Sequence, residues 1–168
     1  KKYYLQAINI YNKNKTEILV PSNLSFVANN LADLYLRFYP KIYREKALYY
    51  AELAKDISLK TNQAAHLASS YGLMAEIALE KNDNKTAKSY LLNSLKIINE
   101  SALNDQQTIL SIYESLSNVN EKEGNFTEAL RYYKMYISTY KSIYDQEKIQ
   151  FSKRLEAQFE KERHQQQM

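Results

Sequence analysis

Proton transfer and metal binding would fall first to His66 and His164, the only two histidines of the chain. They lie on different predicted helices, and neither belongs to an HExxH spacing that would set paired imidazoles on one helical face. Packing or surface roles follow for both. With no cysteine in the sequence, disulfides, thiolate nucleophiles and thiolate metal sites are excluded, while the redox compartment stays open. There is no GxSxG elbow and no glycine-rich phosphate loop, so hydrolase and nucleotide-dependent chemistry lack their residues. The sequence reads as non-enzymatic, with neither cofactor nor metal centre.

The sixteen tyrosines could form a stacking platform for single-stranded nucleic acid, since aromatic faces beside cations suit that role. Most recur instead at core spacing, and Tyr90, Tyr133 and Tyr136 are expected to pack against neighbouring helices. The net charge of +4 comes from 23 basic and 19 acidic residues that are interspersed along the chain, the pattern of solvated helix faces. Direct nucleic-acid binding is therefore not expected. No apolar run approaches the ~18 to 20 residues that cross a bilayer, so a membrane could be involved only through segments outside this chain. Triplets such as "NFT" and "NKT" match the glycosylation pattern, but Asn, Ser and Thr are common enough here to produce it by chance.

The elements that must position any binding residues are helices. Two Gly and two Pro leave little material for hairpins, and Leu, Ala, Lys, Glu, Gln and Ile abound. Three stretches repeat: "KIYREKALYY", "NDNKTAKSYL" and "GNFTEALRYY", which align on Ala47, Ala87 and Ala129 at offsets of 40 and 42 residues. Upstream of each lies a second amphipathic segment, with Ala32, Ala75 and Ser117 as its small residue. Twelve residues separate the two small positions in the second and third units and fifteen in the first, which places an insertion around Tyr39, Pro40 and Lys41. Small residues there let paired helices approach closely. Gly124 should end one helix, and Asn125 should cap the next with Glu128 three residues on.

Helices are predicted at 1–14, 22–38, 44–60, 63–81, 84–100, 104–122 and from 126 onward, with Ser22 and Asn104 as N-caps. "KKYYLQAINIYNKN" matches the second helix of a unit without its first, so the chain is expected to begin in mid-repeat. The organisation is a repeat region over 1–145, made of an orphan helix (1–14) and units at 22–60, 63–100 and 104–145, followed by a helical linker at 146–168.

"SLSNVNEKEGNFTEALRYY" and "LMAEIALEKNDNKTAKSYL" resemble the tetratricopeptide repeat family in their small residues, Gly/Asp turn and following aromatic or apolar position. Ser117 stands where that family has Gly or Ala, Asn120 and Ala78 where it has an aromatic, and the 40 to 42-residue periods exceed its usual ~34; a HEAT-like pairing is the structural alternative. The resemblance implies an all-α, right-handed superhelix of antiparallel helix pairs with a long C-terminal helix, binding a protein or peptide in the groove lined by first helices. Carried over, the groove positions are Asn29, Asp33 and Arg37 in the first unit, Ser69, Gly72, Glu76 and Glu80 in the second, and Glu114, Asn118 and Glu121 in the third. That face is mostly acidic, which disfavours an anionic peptide terminus and favours cationic or neutral segments.

No Pro or Gly follows Gly124, which predicts one long helix from Phe126. Its portion "YKSIYDQEKIQFSKRLEAQFEKER" resembles the segment after the last repeat in bacterial membrane-bound regulators, whose outputs are histidine kinases or helix-turn-helix DNA-binding domains. The resemblance implies an extracytoplasmic, periplasmic sensor region in signal transduction or transcription regulation. A free-standing cytoplasmic adaptor for protein assembly is the alternative. Tyr144, Phe151, Leu155 and Phe159 form a short seam at spacings of seven, four and four, as in a weak coiled coil, so a homodimer through this helix is expected.

Overall fold

The computed structural model describes residues 1–14, 22–101, 103 and 105–166, with the side chains of 22 and 158–166 excepted. Among the described residues the chain is all-helical, without a strand. Seven α-helices follow in order: α1 (Lys2–Lys13), α2 (Ser22–Phe38), α3 (Arg44–Lys60), α4 (Ala64–Glu80), α5 (Asn84–Glu100), α6 (Gln106–Lys122) and α7 (Phe126–Gln166). A short 3₁₀ turn, Lys41–Tyr43, precedes α3. It occupies the expected insertion, behind Pro40, whose ring disfavours a helical conformation for Tyr39.

Three connections share one local design. Asn62, Asn82 and Gly124 adopt positive φ of 53°, 58° and 73°, the left-handed conformation that glycine, and among other residues asparagine, most readily accepts. The residue after each then donates its N–H back to the helix just ended: Gln63 to Ser58 O at 2.9 Å, Asp83 to Ala78 O at 2.9 Å and Asn125 to Asn120 O at 2.8 Å. Carbonyls that the helix end would leave unpaired are thereby satisfied.

The expected caps differ in detail. Asn104 lies outside the described residues, and Asp105 caps α6, accepting from Thr108 N at 3.0 Å and Thr108 Oγ1 at 2.6 Å. Asp83 caps α5 likewise through Thr86 N at 3.1 Å. Ser22 is the first residue inside α2, so the position that would cap that helix lies outside the described residues. No reciprocal capping box forms at Asn125. Its N–H is committed to Asn120 O, and Glu128 accepts from Arg131 Nε at 2.9 Å and Nη2 at 2.6 Å.

Consecutive helices pack on one another, most extensively within the pairs α2/α3, α4/α5 and α6/α7. Ala32, Ala47, Ala75 and Ala87 have no exposed surface, as close approach of paired helices requires. In the last pair Ser117 Oγ donates to Ala129 O at 3.0 Å, so the serine adds a polar tie at a position where a methyl would only pack. Asn120, also fully buried, donates to Leu116 O at 2.7 Å and accepts from Lys88 Nζ at 2.6 Å. An amide thus ties α6 to α5 at this buried position.

The core forms two clusters. One joins Ile8 of α1 to Leu31, Ala51, Ile57 and Ile77; the other joins Leu91, Ile98, Ile112, Leu116 and Tyr132. They meet on α4 and at Tyr90, which packs against both. Tyr35, Tyr39, Tyr43 and Tyr50 cluster about the α2–α3 corner with ring centroids 5.0 to 5.9 Å apart, Tyr35 stacking on Tyr43 and Tyr50 and Tyr39 meeting Tyr43 edge-on. Tyr90 is packed as expected, whereas Tyr133 is 52 % exposed, since among the described residues no helix covers that side of α7.

Candidate functional site

The first two units close their shared face with polar side chains. Asn29 is buried: its Nδ2 donates to His66 O at 2.9 Å, and its Oδ1 accepts from Ser70 Oγ at 3.0 Å. Ser25 Oγ donates to Gln63 Oε1 and lies 2.8 Å from His66 Nδ1, itself 2.9 Å from Gln63 Oε1. A serine hydroxyl beside an imidazole is a nucleophile–base arrangement, but Ser25 has no exposed surface and so cannot reach a substrate. The group joins α2 to α4, which agrees with a packing role for His66. The side chain of His164 lies outside the described residues.

Ion pairs continue the closure along the same junction. Arg37 Nε meets Asp33 Oδ1 at 2.5 Å and Arg37 Nη2 meets Glu76 Oε1 at 3.3 Å. The Glu76 carboxylate, with Asp33, raises the Arg37 pKa above its ordinary value. Arg44 forks onto Glu80, with Nη2 to Oε1 at 3.0 Å and Nε to Oε2, while its Nη1 donates to the carbonyls of Tyr35 at 3.0 Å and Tyr39 at 3.2 Å. That hydrogen bonding holds the Glu80 carboxyl below its ordinary range. The acidic groove expected from Asp33, Glu76 and Glu80 is therefore offset by cations of its own chain.

Between α4 and α6 the arrangement changes. α2 packs on α4, whereas α6 is held mainly by α5 and α7. The gap is a cleft of about 360 Å³. Ser69, Gly72 and Glu76 line it from α4, and Gln107, Thr108, Ser111 and Ser115 from α6. Leu73, Leu91 and Ile112 supply its apolar surface, and Arg37 reaches its rim. Small side chains keep it open: a Cβ at Gly72 would meet nothing within 4 Å. The lining combines hydroxyls, one amide and aliphatic carbon with the paired charges of Glu76 and Arg37, the composition of a site for a neutral segment that hydrogen-bonds as it packs.

Of the residues expected in the groove, Arg37, Ser69, Gly72 and Glu76 come together in this cleft. Asn29 is committed to the α2–α4 network, and Glu80 to Arg44. Glu114, Asn118 and Glu121 are exposed but do not line the cleft. Glu121 instead flanks a shallow depression of about 290 Å³ with Ser117, Phe126, Ala129, Leu130 and Tyr133. Sequence reasoning missed the α6 wall. The signal was present, since the 42-residue offset that carries Ala87 to Ala129 also carries Ser69 to Ser111 and Leu73 to Ser115. Tyr144, Phe151 and Leu155 are exposed on α7, and the Phe159 side chain lies outside the described residues.

No protein-family model, curated protein or solved structure matches the chain. Among the described residues, no helix is long and apolar enough to cross a membrane.

Proposed function

We propose that this chain is a non-enzymatic, tetratricopeptide-like scaffold or sensor domain that binds a segment of another protein in the α4–α6 cleft. The observation that carries this reading is the cleft itself: one junction between successive units is filled by paired side chains, and the next is left open and lined with hydroxyls. An extended segment would place a small neutral side chain before Gly72, with its backbone within reach of Ser111 and Ser115. Arg37 is already engaged by two carboxylates, so an anionic peptide terminus finds no free cation at the rim. The repeat register supports the finer reading of a right-handed superhelix, through the buried alanines and the Ser117–Ala129 bond. The resemblance of the α7 segment supports a place in a bacterial signal-transduction or transcriptional regulator, with the repeats extracytoplasmic.

Gly72→Leu tests the site, because leucine suits a helix and the space before Gly72 is empty. A library of neutral and cationic peptides would be selected on the wild-type chain and titrated against both proteins. Affinity should fall roughly tenfold or more in the variant, as the new side chain occupies the cleft. Equal affinities would place the binding surface elsewhere.

A further inference from the structure

The outer face of α7 carries one apolar stripe. Phe126, Leu130, Tyr133, Ile137, Tyr140 and Tyr144 follow at alternating spacings of four and three, and Phe151 and Leu155 continue the line. All but the half-buried Ile137 are between 41 and 69 % exposed. The 42-residue offset identifies what is missing. Leu91, Leu95 and Ile98 of α5 map onto Tyr133, Ile137 and Tyr140, and those α5 residues share a core with Ile109, Ile112 and Leu116 of α6. On α5 a following helix covers the face, and on α7 the same face is bare.

We propose that two copies of this chain pair through α7 as a parallel, in-register coiled coil over residues 126–155. Length argues for a second copy. The stripe extends ~45 Å at ~1.5 Å per residue, nearly twice the reach of a helix such as α6 with its 17 residues, whereas α7 spans 41 residues. Area agrees. Five aromatic side chains at ~200 Å² each, rather more than half exposed, together with the leucines offer roughly 700 Å² per copy. A pair then buries roughly 1,400 Å², within the range of stable interfaces.

Charge sets the direction. Lys134, Lys141 and Lys148 recur every seven residues along one edge of the stripe, and none is in an ion pair among the described residues. An antiparallel pair would bring the two lysine rows together. A parallel pair sets each row against Tyr136, Ile143 and Gln150 of the second copy, the residues of the opposite edge. The single charged residue in the seam before Phe151 is Glu147, which the in-register parallel pair sets against Glu147 of the second copy, with Lys148 of each copy flanking the layer and offsetting its charge. One such polar layer fixes register at some cost in affinity.

The chain has no cysteine, so single cysteines report direction cleanly. Sedimentation of the 168-residue chain should show a concentration-dependent dimer, and Tyr140→Glu with Phe151→Glu should raise its dissociation constant roughly tenfold or more. Both substitutions lie on exposed positions, and circular dichroism would verify that the helices persist. Tyr133→Cys alone and Phe151→Cys alone should each cross-link to itself with a short bis-maleimide. A monomer at high micromolar concentration would overturn the pairing, and cross-linking only when the two variants are mixed would overturn its parallel direction.

Discussion

α4 has α2 on one flank and α6 on the other and meets them differently. Toward α2 it presents His66, Ser70 and Glu76, which find Ser25, Asn29 and Arg37 across the junction. Toward α6 it presents Ser69 and Gly72, which find a cleft. The two junctions stand in equivalent places in successive units, but α2 lies along α4 whereas α6 stands off it. Side-chain length follows the backbone: arginine and asparagine bridge the close junction, whereas serine and glycine leave the wider one open. The closed junction contributes rigidity, and the open one offers the volume a ligand needs.

The largest effect that would break this contrast is at Arg44. Its side chain is only 14 % exposed, and it ties the end of α2 to Glu80 at the end of α4. Arg44→Ala removes the fork onto Glu80 together with two bonds to carbonyls of the α2–α3 corner. The expected loss is about 1 to 2 kcal/mol, discounted because Glu80 can turn to water. A thermal or urea melt would measure it; an unchanged midpoint would show that packing alone closes the junction.

The same pair gives the closed junction an acid sensitivity. Hydrogen bonding to Arg44 lowers the Glu80 pKa in the folded state. This contribution is therefore fully present above the unfolded value of about 4.3 and is lost as pH falls through the lower, folded value. The stability difference between wild type and Arg44→Ala should accordingly be widest near neutrality and shrink below about pH 4. Melts of both proteins across that range check it, and a difference independent of pH would assign the loss to packing and the carbonyl bonds instead.

How much of this was legible in the sequence follows from the range of each interaction. Helix ends were legible to within about two residues because their causes are local: Gly124, the Asp/Asn turns and the small residues at a spacing of twelve. Asn104 and its neighbour Asp105 both suit a cap by residue type, and only the bonds from Thr108 assign the role to Asp105. The ion pairs were not legible. Arg44 and Glu80 are 36 residues apart, and Arg37 and Glu76 are 39 apart, so charge by position read the face as acidic where Asp33, Glu76 and Glu80 had cations beside them. Tyr133 recurs at the core spacing of a second helix and its equivalent there, Leu91, is buried, yet Tyr133 is exposed; periodicity identifies a face but does not supply its cover.

The smallest effect tests the open junction directly. A glycine within a helix costs about 0.5 to 1 kcal/mol relative to alanine, through the backbone freedom it surrenders on folding. Such a residue is justified sterically where another element presses against its Cα. Gly72 lies in the interior of α4 with an ordinary helical backbone, and a Cβ built on it meets nothing within 4 Å. The fold does not require it. Gly72→Ala should therefore raise the unfolding free energy by about 0.5 to 1 kcal/mol, an uncommon sign for a substitution facing a junction between units. Urea denaturation would resolve a change of that size. A destabilised Gly72→Ala would mean that α6 closes on α4 in solution, and the contrast between the two junctions would then disappear.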